Sequence, residues 1–495
     1  MSEVLFGQSY YLRFDPKLWE AMQPYPPLGT LYAANTAREH GYDVALFDAM
    51  LAQSEDEWAQ ALDRHRPRFA VLYEDNFNYL SKMCLLRMRE AAFKMMPMAK
   101  ARGCTVIVCG SDATDHLERY FAHGADFILI GEAEITLVEL LDTLSGRSSR
   151  PLQDILGLAY PGPNGEVIRT PARPFIKNLD VLPFPAWDLV DIPRYRQIWL
   201  KRHGYYSMNL VTTRGCPYHC NWCAKPIYGQ RYNVRSPENV VTEMKWLKTE
   251  FGAQHIWFAD DILGLKPGWI ERFAALVHAH DAVIPFKCLM RVDLIKESTV
   301  AALKKAGCQI VWVGAESGSQ KVLDAMEKGT KVEEIYEATR RLHQAGIQVG
   351  FFLQFGYPGE TREDVEMTLQ MVRDCQPDDI GISVSYPLPG TKFFENVKAQ
   401  LGEKQNWVDS NDLAMLFRGT YVPEFYRVLH GVVHQEFRMR KALAALRQPT
   451  RLRLAHLRQL ALIPYRLWRL HQGRRQLNAL ERLPSSPTIP VPTVS

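Results

Sequence analysis

Cys216, Cys220 and Cys223 fall within Thr213-Arg-Gly-Cys-Pro-Tyr-His-Cys-Asn-Trp-Cys-Ala224, in the spacing C-x3-C-x2-C. Three thiolates this close can each take one iron of a four-iron cubane, cysteine being the usual ligand of such clusters. The motif then leaves the fourth iron open, and an open metal position marks a reactive rather than a structural site. Zinc is the rival. A structural zinc site takes four ligands, often as two separated pairs; no second pair exists here, although His219 could complete a set. A disulfide fits poorly in a chain that reads as intracellular. On spacing alone a cluster with an open iron leads, with zinc or coincidence standing beside it.

The surroundings narrow the choice. Asn209-Leu-Val-Thr-Thr-Arg-Gly215 reads as a strand entering a Gly-Cys-Pro loop, Trp222 precedes the last cysteine, and Ser236-Pro-Glu238 opens a helix. This resembles the radical S-adenosylmethionine (SAM) superfamily, whose signature C-x3-C-x-(aromatic)-C lies after the first barrel strand. The resemblance implies a [4Fe-4S] cluster on the three cysteines, SAM on the open iron, and an external one-electron reductant such as flavodoxin or ferredoxin.

Elements must position such a site. From Met208 onward, candidate strands at 209–213, 255–259, 286–290, 309–314, 350–355 and 379–384 alternate with helices at 237–251, 269–280, 298–306, 332–345 and 362–374. Six repeats predict a partial (β/α)6 TIM-type barrel, whose functional residues collect at the C-terminal strand ends. Those ends carry Asp260 and Asp261, placed for the amino group of SAM, and Arg291, placed for a carboxylate. N-cap, loop or salt-bridge roles compete for all three. Gly314-Ala-Glu-Ser-Gly-Ser319 resembles the family's G-x-E-S-G-S segment, which implies a SAM contact through Glu316 or Ser317. Gly356-Tyr-Pro-Gly-Glu-Thr361 resembles its G-x-P-G-E-T turn near the adenine, though a tight turn explains glycine and proline equally. Trp222 is expected near the adenine. Tyr386-Pro-Leu-Pro-Gly-Thr391 matches a P-x-P-G-T segment at the rim. No G-x4-G-K-[ST] phosphate loop is present, and Glu316-Ser-Gly318 lacks the glycine of a nucleophile elbow.

Upstream, residues 1–146 alternate apolar runs with helical patterns, the mark of a parallel sheet. Strands are expected near 4–6 and at 44–48, 69–73, 105–109 and 127–130, with helices at 28–40, 55–65, 80–101, 116–122 and 135–144. This predicts a doubly wound, flavodoxin- or Rossmann-like α/β domain, which binds ligands at the C-terminal strand edge. Asn76, Gly110, Ser111, Gly131 and Glu132 lie there. The segment resembles the cobalamin-binding domain preceding many radical SAM cores, Pro27-Leu-Gly29 and Gly131-Glu-x-Glu-x-Thr136 carrying the likeness. Cobalamin is the implied cofactor; the D-x-H-x-x-G cobalt-ligating signature is absent, so a domain binding no cofactor is the alternative. Residues 147–200 read as a linker with a hairpin around Asn164-Gly165, residues 201–400 as the core, 401–480 as a helical region, and 481–495 as a disordered tail.

The chain is long enough for two or three domains. A hydrophobic fraction of 47% with 23% charged residues is that of a soluble globular protein. No apolar run is long enough to span a membrane, and no signal peptide is evident; the default expectation is cytoplasmic. The other six cysteines read as buried small hydrophobes. Residues 437–480 hold ten arginines, one lysine and no acid, so the rest of the chain is net acidic. For this basic segment, with an amphipathic helix at 451–463, a cap or partner contact ranks first. A peripheral membrane surface through 437–475 ranks second, and non-specific nucleic acid a distant third. Thr420-Tyr-Val-Pro-Glu-Phe-Tyr-Arg-Val-Leu-His430 resembles, more softly, the anaerobic magnesium-protoporphyrin monomethyl ester cyclase and hopanoid-modifying subgroup. The expectation is a cobalamin-dependent radical SAM enzyme that takes hydrogen from an unactivated carbon, then methylates, cyclises or hydroxylates. The expected substrate is a small molecule of tetrapyrrole, lipid or natural-product type. The alternatives are a SAM-only enzyme and a non-catalytic iron–sulfur or zinc sensor.

Overall fold

The computed structural model describes residues 2–446 and 460–483. The N-terminal sheet contains β1 (Val4–Gly7), β2 (Val44–Leu46), β3 (Phe69–Tyr73), β4 (Thr105–Cys109) and β5 (Phe127–Leu129). They run parallel in the order β2-β1-β3-β4-β5, the doubly wound arrangement expected from the apolar runs. Both faces are covered: Phe6, Val71 and Ile107 face one core, Leu5, Leu72 and Val106 the other. That is why these strands read as continuous apolar runs rather than alternating ones.

Two details differ from the sequence expectation. The hairpin β6 (Leu158–Pro161) and β7 (Val167–Arg169) does not stand alone in a linker; it extends the sheet antiparallel beyond β5. The single helix expected over 80–101 is two, Tyr79–Met83 and Leu86–Lys100, broken at Cys84 with φ +46°. A strap from the distant C-terminal region lies against the break. Leu86 and Arg87 donate their backbone N–H groups to Trp407 and Val408, and Asn406 donates to the Cys84 carbonyl, meeting groups a new helix start leaves open.

The second sheet is β8 (Ser207–Leu210), β11 (His255–Phe258), β12 (Phe286–Met290), β13 (Cys308–Glu316), β14 (Gln348–Phe355) and β15 (Asp379–Val384), parallel and in chain order from β8 to β15. It curls into a half-barrel with helices outside, as six βα repeats predict. Between β8 and β11 lies a small antiparallel ladder, β9 (Thr213–Arg214) with β10 (Asn233–Val234), which closes the loop bearing the cysteines.

Beyond the barrel, the Pro423–Ala445 helix packs against the Ile463–Leu480 helix. Phe425 and Tyr426 of the first are fully buried, and Tyr421 stacks on Phe425 at 4.2 Å, so these aromatics pack. Most of the amphipathic helix expected over 451–463, and the tail from 484, lie outside the described residues. Among the described residues no helix is long and apolar enough to cross a membrane.

Candidate active site

The cysteine loop is held from four directions. First, a β-carbon on Gly215 (φ +80°) would meet the carbonyl oxygens of Arg231, Gly229 and Tyr228 at 2.5–3.0 Å; only glycine lets the chain fold back here. Second, Asp260 at the end of β11 accepts four hydrogen bonds of 2.7–3.0 Å, from the backbone N–H and hydroxyl of both Thr212 and Thr213. Burial lifts its carboxyl to about 6 against these bonds. Asp260 therefore positions the loop entrance with both oxygens engaged. Third, Arg214 reaches back to the N-terminal sheet, donating to Glu132 at 2.6 Å and Glu134 at 2.7 Å, with all three side chains buried. Fourth, Asn221 donates to the Ala325 carbonyl and accepts from the Tyr357 hydroxyl, both at 2.8 Å. Tyr357 belongs to the glycine–proline turn after β14, so that turn braces the cysteine loop.

Cys216, Cys220 and Cys223 are half-buried and unoxidised. Burial raises the Cys216 thiol and pushes Cys223 up to about 12, with Lys225 opposing in both cases. Bare thiolates are unfavourable at Cys216 and Cys223, and a bound metal cation would draw their protons off. Among the described residues no three Cys, His, Asp or Glu side chains converge on a single ion. A cube asks something else, since each thiolate takes its own iron and the sulfurs stand apart. His219, the candidate fourth zinc ligand, is exposed and lies 2.6 Å from Gln230 through Nδ1. The donor set fits a cluster.

One wall beside the cysteines is built by residues far apart in the chain. Lys328 is buried and donates to Glu316 at 2.8 Å, and its ammonium lies 5.9 Å from the Trp222 ring centre. Burial pulls Lys328 down, but Glu316 and Cys220 outweigh it and hold the ammonium above its usual range. Glu316 has φ +57°, a costly conformation for a side-chain-bearing residue that gathers at functional sites. Arg291 pairs with Asp293, donates to the Lys328 carbonyl and lies 3.6 Å above the Tyr218 ring. The Trp222 indole N–H is buried without a partner, an open donor suited to a polar ligand beside the cluster. These residues fit SAM.

The remaining candidates fall elsewhere. Asp261 pairs with Lys82 of the N-terminal unit at 2.5 Å. Ser317 faces Thr368 at 3.1 Å, on the helix behind the barrel. Gly356 (φ +79°) donates to Glu360 at 2.6 Å and is approached to 3.0–3.1 Å, at its β-carbon position, by Met415 and Tyr426. At the N-terminal sheet edge, Ser111 donates to the Ser81 and Lys82 carbonyls, and the Gly110 β-carbon position lies 2.9 Å from Glu74. Gly131 has φ +77° with Ile227 as neighbour, and Glu132 also accepts from the Ile176 N–H. Asn76 is buried with its amide Nδ2 unpaired. Between this edge and the barrel lies a cavity of about 180 Å³, lined by Asp75 and Asn78 on one side and Asn209, Trp257 and Lys287 on the other. Phe77 stacks on Tyr228 beside it, ring centres 5.2 Å apart. The open Asn76 amide leaves this edge a buried donor for a polar ligand.

No motif assigns a role to Arg214, Asn221, Lys328 or Tyr357. The cysteine spacing pointed to their neighbourhood, but only folding gives Lys328 and Tyr357 their partners.

Comparison with known proteins agrees with this geometry. Residues 210–372 match the radical SAM superfamily. An uncharacterized methyltransferase of Pyrococcus horikoshii is 29% identical over 388 residues, covering 75% of this chain and 78% of that protein. An anaerobic magnesium-protoporphyrin IX monomethyl ester cyclase of Rubrivivax gelatinosus is 29% identical over 282 residues, 56% of this chain, and the match spans about half (49%) of the cyclase. In fold, the chain is similar to the radical SAM methyltransferase TsrM of Kitasatospora setae, solved with cobalamin and a [4Fe-4S] cluster. The TM-score is 0.66 at 20% identity, over 81% of this chain and 78% of that one. The chain carries a radical SAM superfamily domain at residues 210–372, the cysteine triad included.

Proposed function

We propose that this protein is a cobalamin-dependent radical SAM enzyme that takes hydrogen from an unactivated carbon of a small amphiphilic substrate, then methylates or oxidises that carbon. The observation carrying this reading is the Cys216–Cys223 loop itself, closed by β9–β10 and walled by Trp222, Glu316 and Lys328. A cluster on Cys216, Cys220 and Cys223 would hold SAM on its open iron, where one electron from an external reductant would break the S–C5′ bond to give methionine and a 5′-deoxyadenosyl radical. The chain's own residues do the rest: Asp260 and Arg214 fix the loop, Tyr357 braces it, and the buried Glu316–Lys328 pair offers charge to a zwitterionic ligand without admitting bulk water.

Cobalamin is supported by the strand order of the N-terminal sheet and by the orientation of its C-terminal edge toward the half-barrel. Cys220→Ala is expected to abolish both the cluster's visible absorbance and SAM cleavage in anaerobically reconstituted full-length protein. Undiminished turnover in that variant would sink the reading. Corrinoid retained by the wild-type chain after gel filtration supports the cobalamin component; its absence leaves a SAM-only enzyme.

The Ile463–Leu480 helix adds a peripheral membrane contact to this reading. Tyr465, Leu467 and Trp468 are each more than half exposed, and Arg469, Arg474 and Arg475 share the helix. Exposed aromatic and aliphatic side chains among arginines suit an anionic bilayer surface.

A further inference from the structure

We propose that Lys287 is the counter-ion for an acidic group of the substrate, which lies as a flat apolar molecule on Trp257, Trp312 and Phe352 along the concave face of the half-barrel. This deepens the enzyme reading and rests on it only for what happens to the molecule once bound.

The strand pattern selects this face. On β13, Val311, Val313 and Ala315 are fully buried beneath the outer helices, whereas Ile310, Trp312 and Gly314, alternating with them, are half-exposed. The half-exposed set therefore points into the open concavity. Register carries the same face across the sheet: Asn209 pairs with Trp257, and Trp257 with Lys287; one step along, Leu289 pairs with Trp312. Trp312 and Phe352 stack with centres 4.8 Å apart and planes at 30°. The space a β-carbon would take on Gly350 is filled by the Trp312 ring, and that on Gly381 by Phe352 at 3.2 Å. Lacking side chains, these two glycines let both rings lie down on the sheet. Phe352, on a strand paired on both sides, keeps 36% of its surface exposed, which marks an apolar surface open to a ligand.

Within this apolar strip stands one cation. The Lys287 ammonium lies 5.3 Å from the centre of Tyr25 and 5.1 Å from that of Trp257, and lines the 180 Å³ cavity. No carboxylate lies within ion-pair distance of it among the described residues. Burial draws its proton affinity down to about 8, with Asp379 pulling the other way. A half-buried ammonium with no carboxylate partner gains from an arriving anion. Asn209 supplies a second open group: it lines the same cavity, is 2% exposed, and its Oδ1 has no hydrogen-bond partner. A ligand carrying an acid and a neighbouring N–H or O–H satisfies both.

Two fluorescent probes with one ring skeleton separate charge from shape: 8-anilinonaphthalene-1-sulfonate and the neutral N-phenyl-1-naphthylamine. With reconstituted full-length protein, the sulfonate is expected to bind more tightly than the neutral probe. Lys287→Met should weaken it roughly tenfold, the weight of one charged contact, and leave the neutral probe unchanged. Lys287→Arg should keep the preference, and Phe352→Ala should weaken both probes. Lys287→Gln serves if the methionine variant melts early. A wild type without preference for the sulfonate overturns the proposal, as does a Lys287 variant that binds it normally or loses both probes equally. Formation of 5′-deoxyadenosine, assayed on the same samples, reports on the enzyme reading separately. Its loss from wild type leaves probe selectivity intact as a result.

Discussion

Arg214 donates to Glu132 at 2.6 Å, and this contact ties the residue two before Cys216 to the C-terminal edge of the N-terminal sheet. Glu134 takes the second guanidinium nitrogen, and the rings of Tyr32, Phe77 and Tyr228 lie within 5.1–5.7 Å of the guanidinium carbon. Burial raises the Glu132 carboxyl while Arg214 opposes it. The acidic segment after β5 is thus the socket of the cluster loop.

Removing the cation leaves two buried carboxylates facing each other. Arg214→Met is expected to destabilise the fold by about 3–5 kcal/mol, the usual effect of breaking a buried pair from one side. Adding Glu132→Gln and Glu134→Gln should recover part of the loss. Urea unfolding of the three proteins checks this; a single variant as stable as wild type would contradict the buried-triad account.

Asp260→Ala removes four hydrogen bonds from Thr212 and Thr213 at once. A loss of roughly 1–3 kcal/mol is expected, since donors are left unmet, together with poorer cluster uptake. Iron and acid-labile sulfide per chain after reconstitution give the readout, with Asp260→Asn milder than Ala. Equal iron loading in all three proteins would show that the loop needs no such anchor.

Glu360 sets a pH dependence. Burial lifts its carboxyl from 4.5 to about 8, the Gly356 N–H opposing. The folded chain therefore keeps this proton up to about pH 8, while the unfolded chain sheds it near 4.5. Glu360's contribution is fully present below 4.5 and is lost as pH rises through that window, with a slope on the order of 1 kcal/mol per pH unit. Glu360→Gln should flatten this slope, gaining on wild type between pH 5 and 8. Parallel denaturation profiles for the two proteins would refute the assignment.

The exposed aromatic face predicts membrane association. Wild type should float with vesicles containing phosphatidylglycerol and not with pure phosphatidylcholine, and added salt should release it. Tyr465→Ser with Trp468→Ser should weaken flotation severalfold, given the apolar area removed, without changing the melting temperature. Flotation that ignores lipid charge, or survives the double substitution, removes the contact from the proposed function.

By itself, the sequence determined the cysteine triad, the parallel strands and the fold class. Each is written locally: ligand spacing within eight residues, and apolar runs that only strands buried on both faces require. It also located the strand ends where Asp260, Glu316 and Gly356 stand, because a βα repeat puts loops at fixed intervals. Tertiary structure alone decided what those residues touch. Asp260 and Thr212 are 48 residues apart, Arg214 and Glu132 82 apart; no periodicity records which distant donor a carboxylate will face. The same holds for Cys84, where the helical pattern continued but the helix breaks against a strap from Asn406–Val408. It holds too for Lys287, one charge within an apolar strand until register sets it among the rings of Tyr25 and Trp257.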